Sequence, residues 1–280
     1  MERGFIIRFD LHVHTNQSDG LLSPEEVVDL AIQKKLDGIA ITDHDTISGI
    51  APAINHGRKY GGFTVIPGIE FGCIHDDEEV HILGYFIDIH NKFINKLTAR
   101  LRESRVKRGI AMTNKLIELG LNISMEDVRE FSSDNYIGRP HIARALIKRG
   151  YVENVQEAFE KYLGLGKPGY IDRYKLSIEE TILAIKNSGG IAVLAHPGIL
   201  KNRDITYYCI EKGIDGIECI QSKHTDSDID YFKTIVNDFG LIATGGSDFH
   251  GDTNKGNSNA ALLGDYFIDI NEISAFKERI

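Results

Sequence analysis

The stretch that most constrains this chain is Phe9–Gly20, FDLHVHTNQSDG. It opens at the end of an apolar run, Phe5-Ile6-Ile7-Arg8-Phe9, which reads as a strand. His12 and His14 stand two residues apart. On a strand they share a face at about 6.6 Å, close enough for two imidazoles to meet one cation. Asp10 shares that face, and Asp19 follows in a loop of turn formers. Fixed ligands on a strand and an adjustable acid on the next loop suit the first element of a catalytic metal site. The competing reading is a pair of ordinary polar residues at a strand end, and the rest of the chain weighs against it.

Downstream, strands and helices alternate. Ser23-Pro24-Glu25-Glu26 predicts a helix start, with Ser at the N-cap, Pro next and Glu three residues on. A helix over 27–36 leads to a buried strand, Gly38–Thr42, which ends in Asp43-His44-Asp45. A helix over 48–60, a strand over 63–71 ending at Glu70, an acidic loop over 76–79 and a strand over 80–86 that carries His81 follow. From about 91 to 163 strand signals vanish, and apolar residues recur at helical spacing. The basic residues between Lys96 and Lys115 read there as a solvated helix face. Alternation then resumes. Ile191–Ala195 ends in His196-Pro197-Gly198, a strand over 216–220 follows, and Leu241–Gly245 precedes Gly246-Ser247-Asp248-Phe249-His250. A last strand is expected over 266–270. This order predicts an α/β fold of mostly parallel strands, rolled into a barrel or an open sheet. The barrel is expected over 1–92 and 166–280, with a helical, substrate-covering insertion over 93–165.

His12, His14, Asp19, His44, Glu70, His81, His196, Asp248 and His250 therefore fall on or after strands. In a parallel barrel the strand ends gather at one mouth, where active sites sit. Asp43, Asp45 and Asp248 flank His44 and His250 and are expected to orient their imidazoles. The donors are nitrogen and oxygen only, which favours Mn, Fe or Zn. Their number suits three divalent ions with Glu70 as a bridge. The three cysteines are scattered, which excludes a thiolate zinc ribbon and argues against a disulfide scaffold. A net charge of −9 makes non-specific nucleic-acid binding unfavourable, although a site that collects cations must itself concentrate acids. No apolar run approaches a membrane span and no signal peptide opens the chain, so a cytoplasmic location is expected.

The motifs DLHVHT with SDG, ITDHDT, PGIEF, EVHILGY, AVLAHPG and GSDFHG, in this order, resemble those of the PHP (polymerase and histidinol phosphatase) family of metal-dependent phosphoesterases. The resemblance implies a distorted (β/α)7 barrel with a trinuclear site. It implies that His12, His14, Glu70 and Asp248 share one metal, that Glu70, His81 and His196 hold a second, and that Asp19, His44 and His250 hold the third. The insertion, with Gly138-Arg139-Pro140-His141 and Lys167-Pro168-Gly169-Tyr170, resembles that of small bacterial members acting on nucleoside 3′,5′-bisphosphates, some of which also trim 5′ ends of short RNA. Arg139 would clamp phosphate, His141 would bind phosphate or protonate the leaving oxygen, Lys167 would add charge, and His224 would line the mouth. The expected partner is a small phosphorylated substrate, a nucleotide or short oligonucleotide, with no protein partner. Two other readings are a histidinol-phosphatase-like monoesterase and a metal-binding scaffold without turnover.

Overall fold

The computed structural model describes residues 6–132, 136–251 and 261–280. Phe5, the first residue of the expected opening strand, lies outside them. The elements are β1 (Arg8–Val13), α1 (Pro24–Gln33), β2 (Gly38–Ile41), α2 (Ile50–Gly57), β3 (Thr64–His75) and β4 (Glu78–Tyr85). The helical segment comprises α3 (Lys92–Glu118), α4 (Met125–Arg129), α5 (Arg139–Lys148) and α6 (Val155–Ala158), which runs into a π-helical turn, Phe159–Leu163. Then come β5 (Leu176–Ser177), α7 (Ile178–Asn187), β6 (Ile191–Leu194), α8 (Asp204–Glu211), β7 (Gly216–Gln221), α9 (Asp226–Phe239), β8 (Ile242–Gly246), β9 (Ile268–Asp269) and α10 (Ser274–Lys277). Ser23, Ser124 and Ser177 each close a capping box, which sets the starts of α1, α4 and α7.

The strand order is β8-β7-β6-β4-β3-β2-β1-β9, with β5 beside β3. The path closes on itself between β1 and the end of β8. Val13 bridges Phe249, His14 N–H donates to Phe249 O at 2.9 Å, and Phe249 N–H donates to His12 O at 3.3 Å. Seven strands thus form a nearly closed barrel, a distorted TIM-like α/β fold. A Cβ on Gly246 would lie 2.4 Å from His12 N, so this seam needs glycine at the end of β8. Asp10 reinforces the seam from inside. It accepts from Ser247 N–H at 2.9 Å, Ser247 Oγ–H at 2.6 Å and Gly264 N–H at 2.9 Å.

The barrel is not all parallel. β4 runs antiparallel to β3 and to β6. The expected acidic loop is a two-residue hairpin turn, Asp76-Asp77, with φ of 45° and 63°, and Glu78 and Glu79 already pair in β4. Positive φ at both central residues matches the twist of paired strands. Because β4 is reversed, its first residues lie at the mouth where its neighbours end. His81 therefore joins the strand-end histidines and acids from the first half of its own strand.

Alternate residues of β6, with Ala195 just after it, serve two cores. Ile191, Val193 and Ala195 join Phe9, Leu11, Leu83, Tyr85 and Phe276, while Ala192 and Leu194 join the residues that pack α1, α2, α7 and α8 on the sheet. The helical segment has a buried cluster of its own, including Met112, Leu116, Val128, Ile142, Leu146 and Leu163. α3 spans both regions, since Ile94 and Leu101 belong to the barrel cluster. No described helix is long and apolar enough to cross a membrane.

Candidate metal centre

All nine expected ligands meet at the mouth. Glu70 is their hub. Its Oε2 lies 3.2 Å from His14 Nε2, 2.9 Å from His44 Nδ1 and 3.5 Å from His12 Nε2. Its Oε1 lies 2.9 Å from His81 Nδ1 and 3.0 Å from His196 Nε2. Asp248 Oδ1 approaches His14 Nε2 at 3.3 Å and His12 Nε2 at 3.5 Å, and Asp19 Oδ1 approaches His250 Nε2 at 3.3 Å. Four sets of donor atoms lie within 4.8 Å of one another: His14, Asp19, His44 and His250; His12, Glu70 and His196; His12, His14 and Asp248; His44, Glu70 and His81. His14 thus also falls with Asp19, and His12 with His196, beyond the expected grouping.

The fold aims these side chains by local backbone devices. β2–β3 pairing continues past β2 through Glu70 N–H to Asp43 O and Asp45 N–H to Glu70 O, which sets His44 beside Glu70. Asp45, His196 and Asp248 have φ of 53°, 30° and 56°. Left-handed backbone at non-glycine residues is costly and collects at functional sites.

The acids beside His44 do not orient its ring. Asp43 accepts from Thr15 N–H, Thr15 Oγ–H and Ser18 Oγ–H, pinning the turn that presents Asp19. Asp45 pairs with Arg105 and Arg173. His250 donates from Nδ1 to the backbone oxygen of Asp248 at 2.8 Å rather than to its carboxylate. The residue that does orient an imidazole is Glu218, buried on β7. Its Oε1 accepts from His12 Nδ1–H at 3.0 Å, and its Oε2 accepts from His196 N–H at 2.8 Å. A carboxylate on one ring nitrogen leaves the other free as a ligand. An acid in the middle of an otherwise apolar buried strand was the available signal.

The donor set fits divalent cations. His12 Nε2, His14 Nε2, His44 Nδ1, His196 Nδ1, Asp19 Oδ1 and Glu70 Oε2 are buried with no hydrogen-bond partner. Balanced by protons alone, the carboxylates distort the histidines. Burial opposes protonation of His14, yet Asp248 and Glu70 outweigh it and push the ring up to about 10. His81 rises against burial to about 9 beside Glu70 and Glu79. His44 falls to about 4, because burial there outweighs Glu70 and Asp19.

A cavity of about 270 Å³ opens on this cluster. Asp19, His44, Glu70, His81, His196, Asp248 and His250 line one side, and the helical segment supplies Arg105, Arg108, Arg139, Pro140 and Phe159. Arg105 and Arg108 correct the expectation of a solvated basic face, being 6% and 4% exposed. Arg139, at the start of α5, donates to Glu79 Oε2 at 2.8 Å and packs over the Phe159 ring. Glu79, Ile199 and Lys223, which donates to Asp248 at 2.8 Å, complete the wall.

Three expected substrate residues are not on that wall. His141 is 1% exposed and accepts the Gly138 N–H on Nδ1, so it caps α5, and burial lowers its ring to about 4. A neutral imidazole has no surplus proton to give a leaving oxygen near neutral pH. Lys167 is exposed in the turn after the π-helical segment. His224 uses both ring nitrogens on backbone, accepting from Gly198 N–H at 3.0 Å and donating to Cys219 O at 2.9 Å, and it packs on Phe232. It ties the His196 loop to β7 instead of facing a ligand.

A barrel mouth that holds histidines and carboxylates against arginines defines a metal-dependent hydrolase of phosphoric esters. The PHP domain model matches residues 10–187, and this chain belongs to the PHP family of metal-dependent phosphoesterases. It is 32% identical over 256 residues to the Escherichia coli 5′-3′ exoribonuclease Rnm, covering 89% of this chain and 87% of that protein. It is 34% identical over 250 residues to the 3′,5′-nucleoside bisphosphate phosphatase of Chromobacterium violaceum, covering 86% of each. The solved structure of a candidate metal-dependent phosphoesterase from Bifidobacterium adolescentis superposes with a TM-score of 0.88 at 31% identity, over 97% of this chain and 96% of that one.

Proposed function

We propose that this enzyme removes the 3′-phosphate of a nucleoside 3′,5′-bisphosphate and also acts on the 5′ ends of short oligonucleotides. The observation that supports this reading is the pairing, across one cavity, of a nitrogen-and-oxygen metal cluster with arginines of the helical segment. One phosphate on the metals does not require so basic an opposite wall, whereas a ligand with two phosphates does. Pro140, Phe159 and Ile199 add an apolar wall suited to a base. The bisphosphate phosphatase and the exoribonuclease named above act on such ligands.

His12, His14, Asp19, His44, Glu70, His81, His196, Asp248 and His250 would hold three divalent ions, Mn, Fe or Zn, with Glu70 shared. When bound, the ions supply the Lewis acid and the activated water of metal-assisted ester hydrolysis. The chain's own residues do the rest. Glu218 fixes the His12 tautomer. Arg139, released from Glu79, clamps phosphate through its guanidinium fork. His141 positions Arg139 by closing the first turn of α5. The helical segment over 93–165 covers the barrel, over 1–92 and 166–280, and narrows access of water to the cavity. Buried unpaired thiols at Cys73, Cys209 and Cys219 suit a cytoplasmic enzyme.

The test is phosphate release from adenosine 3′,5′-bisphosphate with Mn²⁺, beside 5′-AMP and histidinol phosphate, for wild type and His196→Ala. Release from the bisphosphate that disappears in the variant is expected. Faster release from histidinol phosphate would refute the substrate assignment and leave the metal centre in place.

A further inference from the structure

We infer that Arg108, a residue no expectation singled out, is the receptor for the phosphate that is not transferred. This rests on the bisphosphate reading above. Four guanidiniums gather between α3, α5 and the segment before β5, and three of them have partners. Arg105 donates to Asp45 at 2.5 Å. Arg173 reaches Asp45 at 3.1 Å and donates to Tyr174 O at 2.9 Å. Arg139 holds Glu79. Arg108 has no hydrogen bond and no ion pair among the described residues, although it is 4% exposed and its Nε is wholly buried.

Placing a bare guanidinium there is unfavourable, since a buried charge without a partner is strongly destabilising. Its neighbours worsen this. Burial, then Arg105, Arg139 and Arg173, all work against its charged form. Asp45 and Glu79, the carboxylates that hold the other three guanidiniums, are already paired and leave Arg108 unmatched. A phosphate dianion carries the matching charge, and a guanidinium fork fits it with two parallel hydrogen bonds. Arg108 also lines the same cavity as Glu70, His81 and His196, so an anion on it shares that cavity with one on the metal cluster.

A structural arginine and a receptor predict opposite results. The Mn²⁺-loaded enzyme is compared with its Arg108→Met and Arg108→Lys variants on adenosine 3′,5′-bisphosphate and on adenosine 3′-phosphate, which lacks the second phosphate. Arg108→Met is expected to lower kcat/KM for the bisphosphate about 100-fold, mostly through KM, and to leave adenosine 3′-phosphate within about threefold. Arg108→Lys should recover part of the loss. Without ligand, Arg108→Met should melt no lower than wild type, and the rise in Tm that sulfate gives wild type should disappear. Equal losses on both substrates, or a lower Tm with the sulfate response intact, would overturn the assignment. If wild type hydrolyses no bisphosphate, the function proposed above fails by itself, and the sulfate response of the variants decides whether Arg108 receives an anion.

Discussion

Replacing Glu218 by glutamine changes one atom of a buried side chain and should weaken metal binding by 10- to 100-fold. Glu218 presents two acceptor oxygens to two donors, His12 Nδ1–H at 3.0 Å and His196 N–H at 2.8 Å. Glutamine offers one acceptor oxygen and one donor amide NH2. If the NH2 faces His12, it donates to Nδ1 and drives the ring proton onto Nε2, the atom that points at Glu70 and Asp248. If it faces His196, two N–H groups oppose each other and the His196 amide loses its acceptor. An unsatisfied buried donor costs about 1–3 kcal/mol. Loss of the carboxylate behind a ligating histidine typically costs 10- to 100-fold in affinity, about 1.4–2.7 kcal/mol. The two routes agree in size. The assay is Mn²⁺ or Zn²⁺ affinity by competition with a chromogenic chelator, with the urea midpoint of the chelator-treated protein as a control for folding. An affinity within twofold of wild type, at unchanged stability, would refute the role of Glu218.

Metal loading at pH 7.5 should release protons, because His14 and His81 hold theirs up to about 10 and about 9 when only carboxylates face them. Calorimetry in two buffers of different ionisation enthalpy reads the number, and proton uptake would contradict the site's electrostatics. For the chelator-treated protein, stability contributed by these raised groups is fully present below about pH 6.5 and lost as pH rises through about 9 for His81 and about 10 for His14. The urea midpoint should therefore fall over that window while metal affinity rises. His224→Ala should lower stability by about 1–2 kcal/mol through its two backbone hydrogen bonds and leave KM unchanged. A selective rise in KM would return His224 to the substrate wall. Gly246→Ala should abolish tight metal binding, since the added methyl meets His12 backbone at 2.4 Å. A variant that binds metal normally would show that the seam has slack.

The convergence of the nine residues at the mouth was legible because several apolar runs lead into a histidine or acid, and strand ends converge whatever the details of pairing. Glu70 and His196 needed no knowledge of register. The direction of β4 was not legible from its own residues, because reversal follows from the tight Asp76-Asp77 turn, which reads as the start of an acidic loop. Arg105 and Arg108 hid for another reason. The buried face of α3 runs Ile94, Thr98, Leu101, Arg105, Arg108, Met112 and Leu116, so the helical spacing continues through both arginines. Charge suggests solvent, but spacing places them inside, and only the structure supplies Asp45 and the cavity that receive them. His224 failed in the opposite direction. Its place after a strand matched the ligand pattern, while its nitrogens serve the backbone. No sequence pattern distinguishes a histidine that holds a loop from one that holds a metal.

The Asp10 seam joins residues 237 positions apart, from β1 to the turn after β8. Chains emerge from the ribosome at about 5–20 residues per second, so roughly 12–50 s separate the synthesis of the two halves of that contact. His12 and His14 are made before Asp248 and His250. During that interval a nascent chain carries histidines and carboxylates that can capture cations singly but cannot form the completed cluster. A metal held by donors from both ends of this contact would be taken up only after the closing strand arrives, by a folded cage instead of an exposed, growing peptide.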